Sequence, residues 1–287
     1  MSAATMLSSP PVARTFKVGT GNLFFGLSVG FIALVAAAAL LAPVLPIQSP
    51  TQLSFDAPMA LPSAGHVLGT DASGRDILSR MIWGAQSALI APLVIVAIST
   101  LLGTAIGLFA GWFGGWVDRV LTRVTDIVFA FPGLLIAIIA VAIFGKGVVA
   151  PVVAMCIAYS PYVARLVRNV VVSERTKPYI AAYRVQGFSS PFVALRALMP
   201  NIAPTISAQS AMNFAYAMLD LAALSFLGLG IQPPTPDWGA MVNDARTAML
   251  DGHPLPAFIP AAAIVLTVVA FNIVGDHLAD RFARRSA

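Results

Sequence analysis

The sequence predicts an all-α integral membrane protein with six transmembrane helices and with both termini in the cytoplasm. Of its 287 residues, 58% are hydrophobic and only 10% are charged, and the mean hydropathy is +0.86, which is outside the usual range of a soluble domain. Long runs without any charged side chain recur along the chain, and a helix needs about 20 apolar residues to cross the hydrocarbon of a bilayer. These runs do not alternate polar and apolar residues as the strands of a membrane barrel do. Helices are therefore predicted for every span.

The predicted spans divide the chain into four parts. Residues 1–22 form a cytoplasmic tail, 23–46 the first transmembrane helix, 47–87 an exterior segment with an interfacial helix, and 88–287 a core of five further helices. Those five helices are predicted at 88–112, 127–145, 149–167, 206–228 and 257–277. Two basic residues precede the first apolar run, which is too long for the apolar core of a signal peptide, so a retained anchor helix is predicted.

The basic residues set the predicted orientation. With the N-terminus inside, thirteen of the 17 Lys and Arg residues fall on the cytoplasmic side, and only Arg75, Arg80, Lys146 and Arg246 fall outside. Such an excess of cytoplasmic basic residues is the bias that orients membrane proteins. The net charge of +5 therefore reports topology and contact with anionic lipid headgroups. No basic stretch is interleaved with exposed aromatic residues, so nucleic-acid binding is set aside.

The sequence lacks the motifs that enzymes and metal sites use. The Gly145-Lys146 pair has neither the upstream glycine nor the following hydroxyl of a phosphate-binding loop. The three histidines are scattered, so neither a catalytic residue nor a metal site is predicted. The chain is not expected to hydrolyse ATP by itself.

A Gly-rich exterior stretch, His66–Gly84, contains closely spaced charges. Two glycines break it into turns, and Ser73 is expected to cap a short interfacial helix that begins near Gly74. Two interpretations stay open, a rigid exterior cap and a docking surface for a soluble partner. The residues assigned to this role are Asp71, Gly74, Arg75, Asp76, Arg80 and Trp238, with Trp238 expected to anchor at the interface or to contact the partner.

Polar residues inside the fifth predicted span suggest a translocation pathway. Buried polar groups in lipid are costly and usually face the interior of a helix bundle. Steps of four, three and four residues place Gln209, Asn213, Tyr216 and Asp220 within one narrow stripe of a helix. A water-filled passage for a polar substrate is one interpretation, and hydrogen bonding between packed helices is the other.

Two further patterns concern helix packing. Gly103, Gly107 and Gly111 repeat every four residues, a spacing that lets two helices approach closely in lipid. Pro132 near the start of the third predicted span is expected to kink or begin a helix.

Several long motifs, in order, resemble the C-type permease subunits of ABC importers for dipeptides, oligopeptides and nickel. These motifs lie at His66–Arg80, Asp118–Pro132, Ser225–Gly239 and Phe271–Asp280. The resemblance implies a type I ABC importer permease fold in a bacterial inner membrane. It also implies four partners: a homologous B-type permease that forms a heterodimer with this chain, two ABC ATPase subunits that carry ATP and Mg, and a periplasmic or lipid-anchored substrate-binding protein. No cofactor is implied on this chain.

A polar, basic segment at about 168–203 resembles the coupling motif of that family, which fits a groove on the ATPase subunit. The Glu-Ala-Ala triplet of the motif falls on residues 181–183, where the glutamate is replaced by Ala181 and the second alanine by Tyr183. The residues that the resemblance assigns to coupling are Tyr179, Ala181, Ala182, Tyr183, Arg184, Gly187, Pro200 and Asn201. An ordinary basic loop held by lipid phosphates is the alternative.

The predicted function is that of a permease subunit that forms half of the pathway for di- or oligopeptides and couples it to cytoplasmic ATPases. The same family also includes permeases for nickel and other small solutes. A secondary transporter that uses Asp220 as an ion site is a rival from another class, but the sequence shows no inverted repeats or broken helices. A membrane-bound enzyme is the third alternative, and it would need clustered catalytic groups.

Overall fold

A computed structural model describes residues 20–54 and 57–283, and these residues form helices and connecting loops without a β-sheet. The all-α prediction is confirmed. The helices are α1 (Thr20–Leu41), α2 (Ile77–Phe113), α3 (Gly115–Phe129), α4 (Gly133–Phe144), α5 (Val149–Glu174), α6 (Pro178–Val185), α7 (Ser190–Phe192), α8 (Met199–Phe226), α9 (Trp238–Asp244), α10 (Arg246–Leu250) and α11 (Leu255–Ala283). A π-helical segment, Val193–Leu198, joins α7 to α8.

The long helix α2 begins well before the span that was predicted at residue 88. Asp76 caps it, because the Asp76 carboxylate accepts a hydrogen bond from the backbone N–H of Ser79 at 2.7 Å. The helix then continues for 37 residues, roughly 55 Å at 1.5 Å per residue. The predictions of a separate interfacial helix and of a cap at Ser73 are therefore wrong. The residues predicted to form the interfacial helix are the first turns of α2. No residue between them and the span predicted at 88–112 ends the helix.

The third predicted span is broken. Instead of one helix over 127–145, α3 and α4 meet at an angle of 76°. Pro132 lies at the N-cap of α4 and lacks the N–H that a continuous helix needs, and the residue before a proline is disfavoured in helical conformation. The prediction that Pro132 starts or kinks a helix is confirmed, whereas the single straight span is wrong.

The centre of the bundle is the packing of α2 against α5. A Cβ atom added to Gly103, Gly107 or Gly111 would lie 2.6–2.8 Å from the Cβ atoms of α5. The facing residues are Val163, Val167 and Val171, all of them buried. The glycine repeat therefore serves close helix packing, as predicted.

The helix α8 packs on the other side of α2 and against α11. Phe214 of α8 stacks on Phe271 of α11 with ring centroids 3.9 Å apart. The helix α1 lies at the edge of the bundle, where Phe25 stacks on His277 of α11 at 4.2 Å.

Four described helices are long and apolar enough to cross a membrane, namely α1, α2, α5 and α11, and the bent pair of α3 and α4 makes a fifth span if it is counted as one. The 28-residue α8 is long enough, but Gln209, Asn213 and Asp220 lower its hydropathy. The number of six spans and the side on which the termini lie therefore stay predictions. The predicted tail at 1–22 lies largely outside the described residues.

Candidate functional site

The segment between α5 and α8 is held in a defined conformation by its own backbone. Pro178 occupies the first turn of α6, where its missing N–H costs nothing. At the other end Gly187 adopts a φ of +81°, and its N–H donates to the carbonyl of Arg184 at 3.0 Å. The N–H of Phe188 donates to the carbonyl of Tyr183 at 3.2 Å. This pair of hydrogen bonds is a Schellman motif, which explains why a glycine stands at residue 187.

Buried contacts tie this segment to the bundle. Ile180 is fully buried against the π-helical segment 193–198. The indole N–H of Trp112, at the end of α2, donates to Ser190 Oγ at 2.6 Å. Arg175 donates to the carbonyl of Gly111 at 2.8 Å. The segment is therefore attached to the ends of the paired helices α2 and α5.

The Tyr179 side chain adds a further link at the start of the segment. Its hydroxyl donates to Glu174 Oε2 at 2.8 Å. Burial, together with the negative charge and hydrogen bond of Glu174, raises the pKa of Tyr179 to about 12. The phenol therefore stays a neutral donor at physiological pH.

Most of the predicted coupling residues face outward. Ala181, Ala182, Arg184, Gly187 and Pro200 are exposed, Asn201 is exposed and donates to the carbonyl of Ala197 at 2.8 Å, and Tyr179 and Tyr183 are half-buried.

The sequence analysis missed the apolar part of the same surface. Val185 is 88% exposed, and Phe188 stacks on Phe192 with ring centroids 4.8 Å apart while both rings remain exposed. Their spacing of three and four residues inside a basic segment was the signal that could have identified them. Apolar side chains exposed on an otherwise polar segment mark a site of interaction with another protein or with the membrane.

A cleft of about 1040 Å³ runs from this segment along α8. Tyr179, Tyr183, Pro200 and Asn201 line one end, and Gln209 lines the other. The structure therefore brings four of the predicted coupling residues and the first predicted pathway residue to one cavity.

The predicted pathway stripe divides into two environments. Gln209 Nε2 donates to Asn213 Oδ1 at 2.9 Å, and Asn213 is only 2% exposed. Tyr216 is 56% exposed, and Asp220 Oδ2 accepts a hydrogen bond from the hydroxyl of Tyr159 at 3.0 Å. Asn213 thus fits the helix-packing interpretation, while the other three residues lie at a cleft or at the surface of the chain. Tyr159 was missed because it lies on α5, 61 residues away.

The residues 57–76, α9 and α10 form a cap on one end of the bundle. Asp71 Oδ2 accepts hydrogen bonds from Arg75 Nε at 2.7 Å and from Arg80 Nη1. Asp244 Oδ2 of α9 accepts from Arg75 and Arg80, each at 3.3 Å. Arg80 is 2% exposed, so these ion pairs lie largely inside the cap. Next to them is a cavity of about 250 Å³ lined by Asp71, Arg75, Arg80 and Asp244 among others.

The other predicted cap residues are structural as well. Gly74 has a φ of +72°, and a Cβ there would lie 2.0 Å from the carbonyl oxygen of Ser54. Asp76 caps α2 and contacts His66 Nδ1 at 3.1 Å. Trp238 is 3% exposed, and its indole N–H donates to the carbonyl of Met81 at 2.9 Å. The structure contradicts an interfacial or exposed docking role for Trp238, because the ring is packed inside the cap against Gly84.

The fold is that of a protein with several membrane-spanning helices, and the exposed segment between α5 and α8 shares a polar cleft with α8. Residues 103–287 match the protein family described as binding-protein-dependent transport system inner membrane component. Glutathione transport system permease proteins GsiD from Pectobacterium atrosepticum and from a strain of Escherichia coli are each 41% identical over 251 residues, which are 87% of this chain and 83% and 82% of theirs. An inward-facing structure of the MetNI methionine ABC transporter matches with a TM-score of 0.58 and 16% identity, covering 72% of this chain and 97% of that one.

The chain therefore belongs to the family of binding-protein-dependent transport system inner membrane components. It is a permease subunit of an ABC importer of the dipeptide, oligopeptide and nickel type and a multi-pass inner-membrane protein. It is not itself an enzyme, because the ATPase, which uses ATP and Mg, is a separate subunit. Membership implies a second permease, ATPases and a substrate-binding protein as partners. The family resemblance and the type I permease fold that the sequence predicted are confirmed.

Proposed function

We propose that this chain forms half of the translocation pathway for small peptides and couples that pathway to cytoplasmic ATPases. The observation that carries the proposal is the cleft of about 1040 Å³, because it joins residues of the coupling segment to Gln209 on α8. A movement imposed at Tyr179 or Tyr183 changes the walls of the same cavity that Gln209 lines. The partners of the proposed importer are a homologous B-type permease, two ABC ATPases and a periplasmic or lipid-anchored binding protein.

The surface proposed to meet the ATPase is the exposed side of the segment 178–192. Ala181 stands where the family motif has a glutamate, so an acidic contact is absent at that position. Val185, Phe188 and Phe192 supply apolar area instead, and Arg184 supplies a positive charge. The proposed contact is thus mainly apolar, with a basic edge.

Peptides are the proposed substrates rather than nickel or other small solutes. The relatives that are 41% identical are named for the transport of glutathione, which is itself a tripeptide. The side chains assigned to the proposed pathway are amide, phenol and carboxylate groups, which can replace the water bound to peptide amides and to the peptide's ammonium group. Nickel would be expected to use imidazole or thiol ligands.

The cap is proposed to lie on the periplasmic side and to meet the binding protein. Its buried ion pairs favour a rigid cap, and the cavity beside Asp71 and Asp244 opens on the surface where a soluble partner could dock.

The test is purification of the chain from its native membrane in mild detergent, followed by reconstitution and ATP-dependent peptide uptake. Recovery of a second permease and two ATPases is expected. Ala182→Trp places a bulky side chain on the exposed face of α6 and is expected to release the ATPases and abolish uptake. Ala64→Trp, at an exposed position of the cap, is the matched control and is expected to retain the ATPases.

Three results would contradict the proposal. A chain that purifies with itself only has no coupling partner. Retention of the ATPases by Ala182→Trp places coupling elsewhere. Uptake of nickel but not of peptides by the assembled importer excludes the proposed substrate.

A further inference from the structure

We propose that Asp220, Tyr159 and Tyr162 form a site that binds the ammonium group of a peptide in transit. The inference rests on the proposed function and specifies which end of the substrate this chain recognises. The sequence analysis assigned Asp220 to a pathway stripe on α8, whereas the site proposed here is built between α8 and α5.

The carboxylate is the centre of the site. Tyr159 donates its hydroxyl hydrogen to Asp220 Oδ2 at 3.0 Å, which orients the carboxylate. The start of α4 also lies close to the carboxylate, since a Cβ added at Gly133 would lie 4.0 Å from Asp220 Oδ2. The bend at Pro132 is what brings α4 into this position. Within the described residues no Lys or Arg forms an ion pair with Asp220.

Aromatic rings extend from the carboxylate along α5. The ring centroids of Tyr159 and Tyr162 are 5.8 Å apart, and those of Tyr162 and Phe129 are 4.6 Å apart. Tyr162 is 48% exposed and Tyr216 is 56% exposed. A carboxylate beside tyrosine faces is the combination that holds organic ammonium groups, by charge and by cation–π attraction.

The row of rings ends at a basic residue that is already neutralised. The guanidinium of Arg165 lies 4.2 Å from the Phe129 ring centroid and pairs with Asp126 at 3.0 Å. Asp220 is thus a carboxylate without a Lys or Arg partner among the described residues, and the ligand proposed for it is a cation.

Tyr162 and Tyr216 are exposed and Asp220 is half-buried, and polar groups at such positions in a membrane protein require water rather than lipid around them. A carboxylate and several hydroxyl groups facing hydrocarbon would be costly, and such residues normally face a cavity or another helix. The surface is therefore placed to line the passage between this chain and its permease partner, where a hydrated substrate passes.

The test compares two peptides in wild-type and variant importers. ATP-dependent uptake of a tripeptide and of its Nα-acetyl derivative is measured in proteoliposomes that hold the complete importer, with the binding protein saturating. The quantity compared is the ratio of free-amine to acetylated peptide uptake, and any preference of the binding protein cancels when the ratio of a variant is divided by that of wild type. Asp220→Asn is expected to reduce this ratio roughly tenfold by slowing only the free-amine peptide.

Three more variants keep the test independent of folding. Tyr162→Phe preserves the ring and is expected to keep the ratio near that of wild type, whereas Tyr162→Leu is expected to lower it. Asp276→Asn, which removes an exposed carboxylate on α11, is the matched control and is expected to leave the ratio unchanged.

An unchanged ratio in Asp220→Asn, in an importer that still assembles, overturns the proposed site. An equal loss of both peptides in that variant also overturns it, because Asp220 would then be structural. Failure of the wild-type importer to take up either peptide is a different result, since it overturns the peptide substrate and the site with it.

Discussion

Buried carboxylates begin helices at two places in this chain. Asp76 caps α2, and Asp237 caps α9 by accepting a hydrogen bond from the N–H of Ala240 at 3.0 Å. Asp237 is 7% exposed, and this burial raises the pKa of its carboxyl group because it disfavours the charged form. The side chain thus combines a stabilising hydrogen bond with a cost of burying charge.

Replacing Asp237 separates these two effects. Asp237→Ala removes the N-cap hydrogen bond of α9 and is expected to lower the free energy of unfolding by about 1 kcal/mol. Asp237→Asn retains an oxygen acceptor and is expected to keep that stability. Denaturant titration of the purified importer in micelles measures the free energy of unfolding of both variants. Equal destabilisation by Ala and Asn would argue against a stabilising role of the N-cap hydrogen bond.

The raised pKa of Asp237 also predicts that the stability of the protein depends on pH. Because the folded pKa of Asp237 is raised, the folded state binds the proton more tightly than the unfolded state does. The stabilisation from this proton is present below the unfolded pKa of about 3.9 and is lost as the pH rises through the folded pKa. The stability of Asp237→Asn relative to wild type is therefore expected to increase with pH over this window, as measured by thermal midpoints at a series of pH values. A difference in thermal midpoint between Asp237→Asn and wild type that stays constant with pH would contradict the raised pKa of Asp237.

The pair of helices α2 and α5 shows how small residues determine packing at the scale of elements. The three glycines of α2 face three valines of α5 at the same four-residue spacing, so the two backbones approach without intervening side chains. The coupling segment is attached to the ends of these two helices through Trp112 and Arg175. Under the proposed coupling, close packing of α2 against α5 would let the segment move both helices together.

Gly107→Ala is expected to destabilise this helix pair. Its Cβ would lie 2.5 Å from the carbonyl oxygen of Ala164, so the helices must separate at a cost of about 1–3 kcal/mol. Gly26→Ala in α1 is the control, because no atom lies within 4 Å of the added Cβ, and it is expected to be neutral or slightly stabilising. Thermal unfolding of the two variants distinguishes packing from helix propensity, and similar midpoints would show that propensity dominates.

The coupling segment offers a second pair of variants. Ile180 is the fully buried residue of α6, so Ile180→Ala is expected to lower the free energy of unfolding by about 2–5 kcal/mol. Val185 is 88% exposed, so Val185→Ala is expected to change stability by less than about 0.5 kcal/mol while reducing the amount of ATPase that co-purifies. Full retention of the ATPase by Val185→Ala would remove this residue from the proposed contact.

Ion pairs within the cap join distant parts of the chain at the scale of the whole molecule. Arg80 at the start of α2 and Asp244 of α9 are 164 residues apart in sequence. Asp71 and Asp244 each accept from both Arg75 and Arg80, so two acidic and two basic side chains close one end of the bundle. The ion pairs thereby join the cap loop and α9 to the start of α2.

Removing Arg80 is expected to loosen the whole cap. Arg80→Gln leaves the carboxylate of Asp71 buried with one partner fewer, at a cost of about 3 kcal/mol. The double variant Arg80→Gln with Asp71→Asn is expected to cost less than the sum of the single changes, because the two residues are coupled. Arg246→Gln, at an exposed position, is the control. Proteolysis of the cap and thermal unfolding measure the effect, and strict additivity would show that the pair contributes little.

The amino-acid sequence determined the class of this protein by itself. Hydrophobic composition and charge-free runs require helices in a membrane, because no other open structure satisfies the backbone there. Ordered motifs from His66 to Asp280 identified the permease family, and Gly103, Gly107 and Gly111 predicted a close helix contact. Each of these inferences depends on local pattern or on order along the chain.

Only the tertiary structure decided which polar residues are buried and which residues meet. The interior position of Trp238 depends on packing between segments far apart in the chain. The pairing of Asp220 with Tyr159 and of Arg80 with Asp244 likewise joins different helices. A stripe on one helix gives the direction in which side chains point, but the element packed against that stripe determines whether they bind substrate, hold a neighbour or face water.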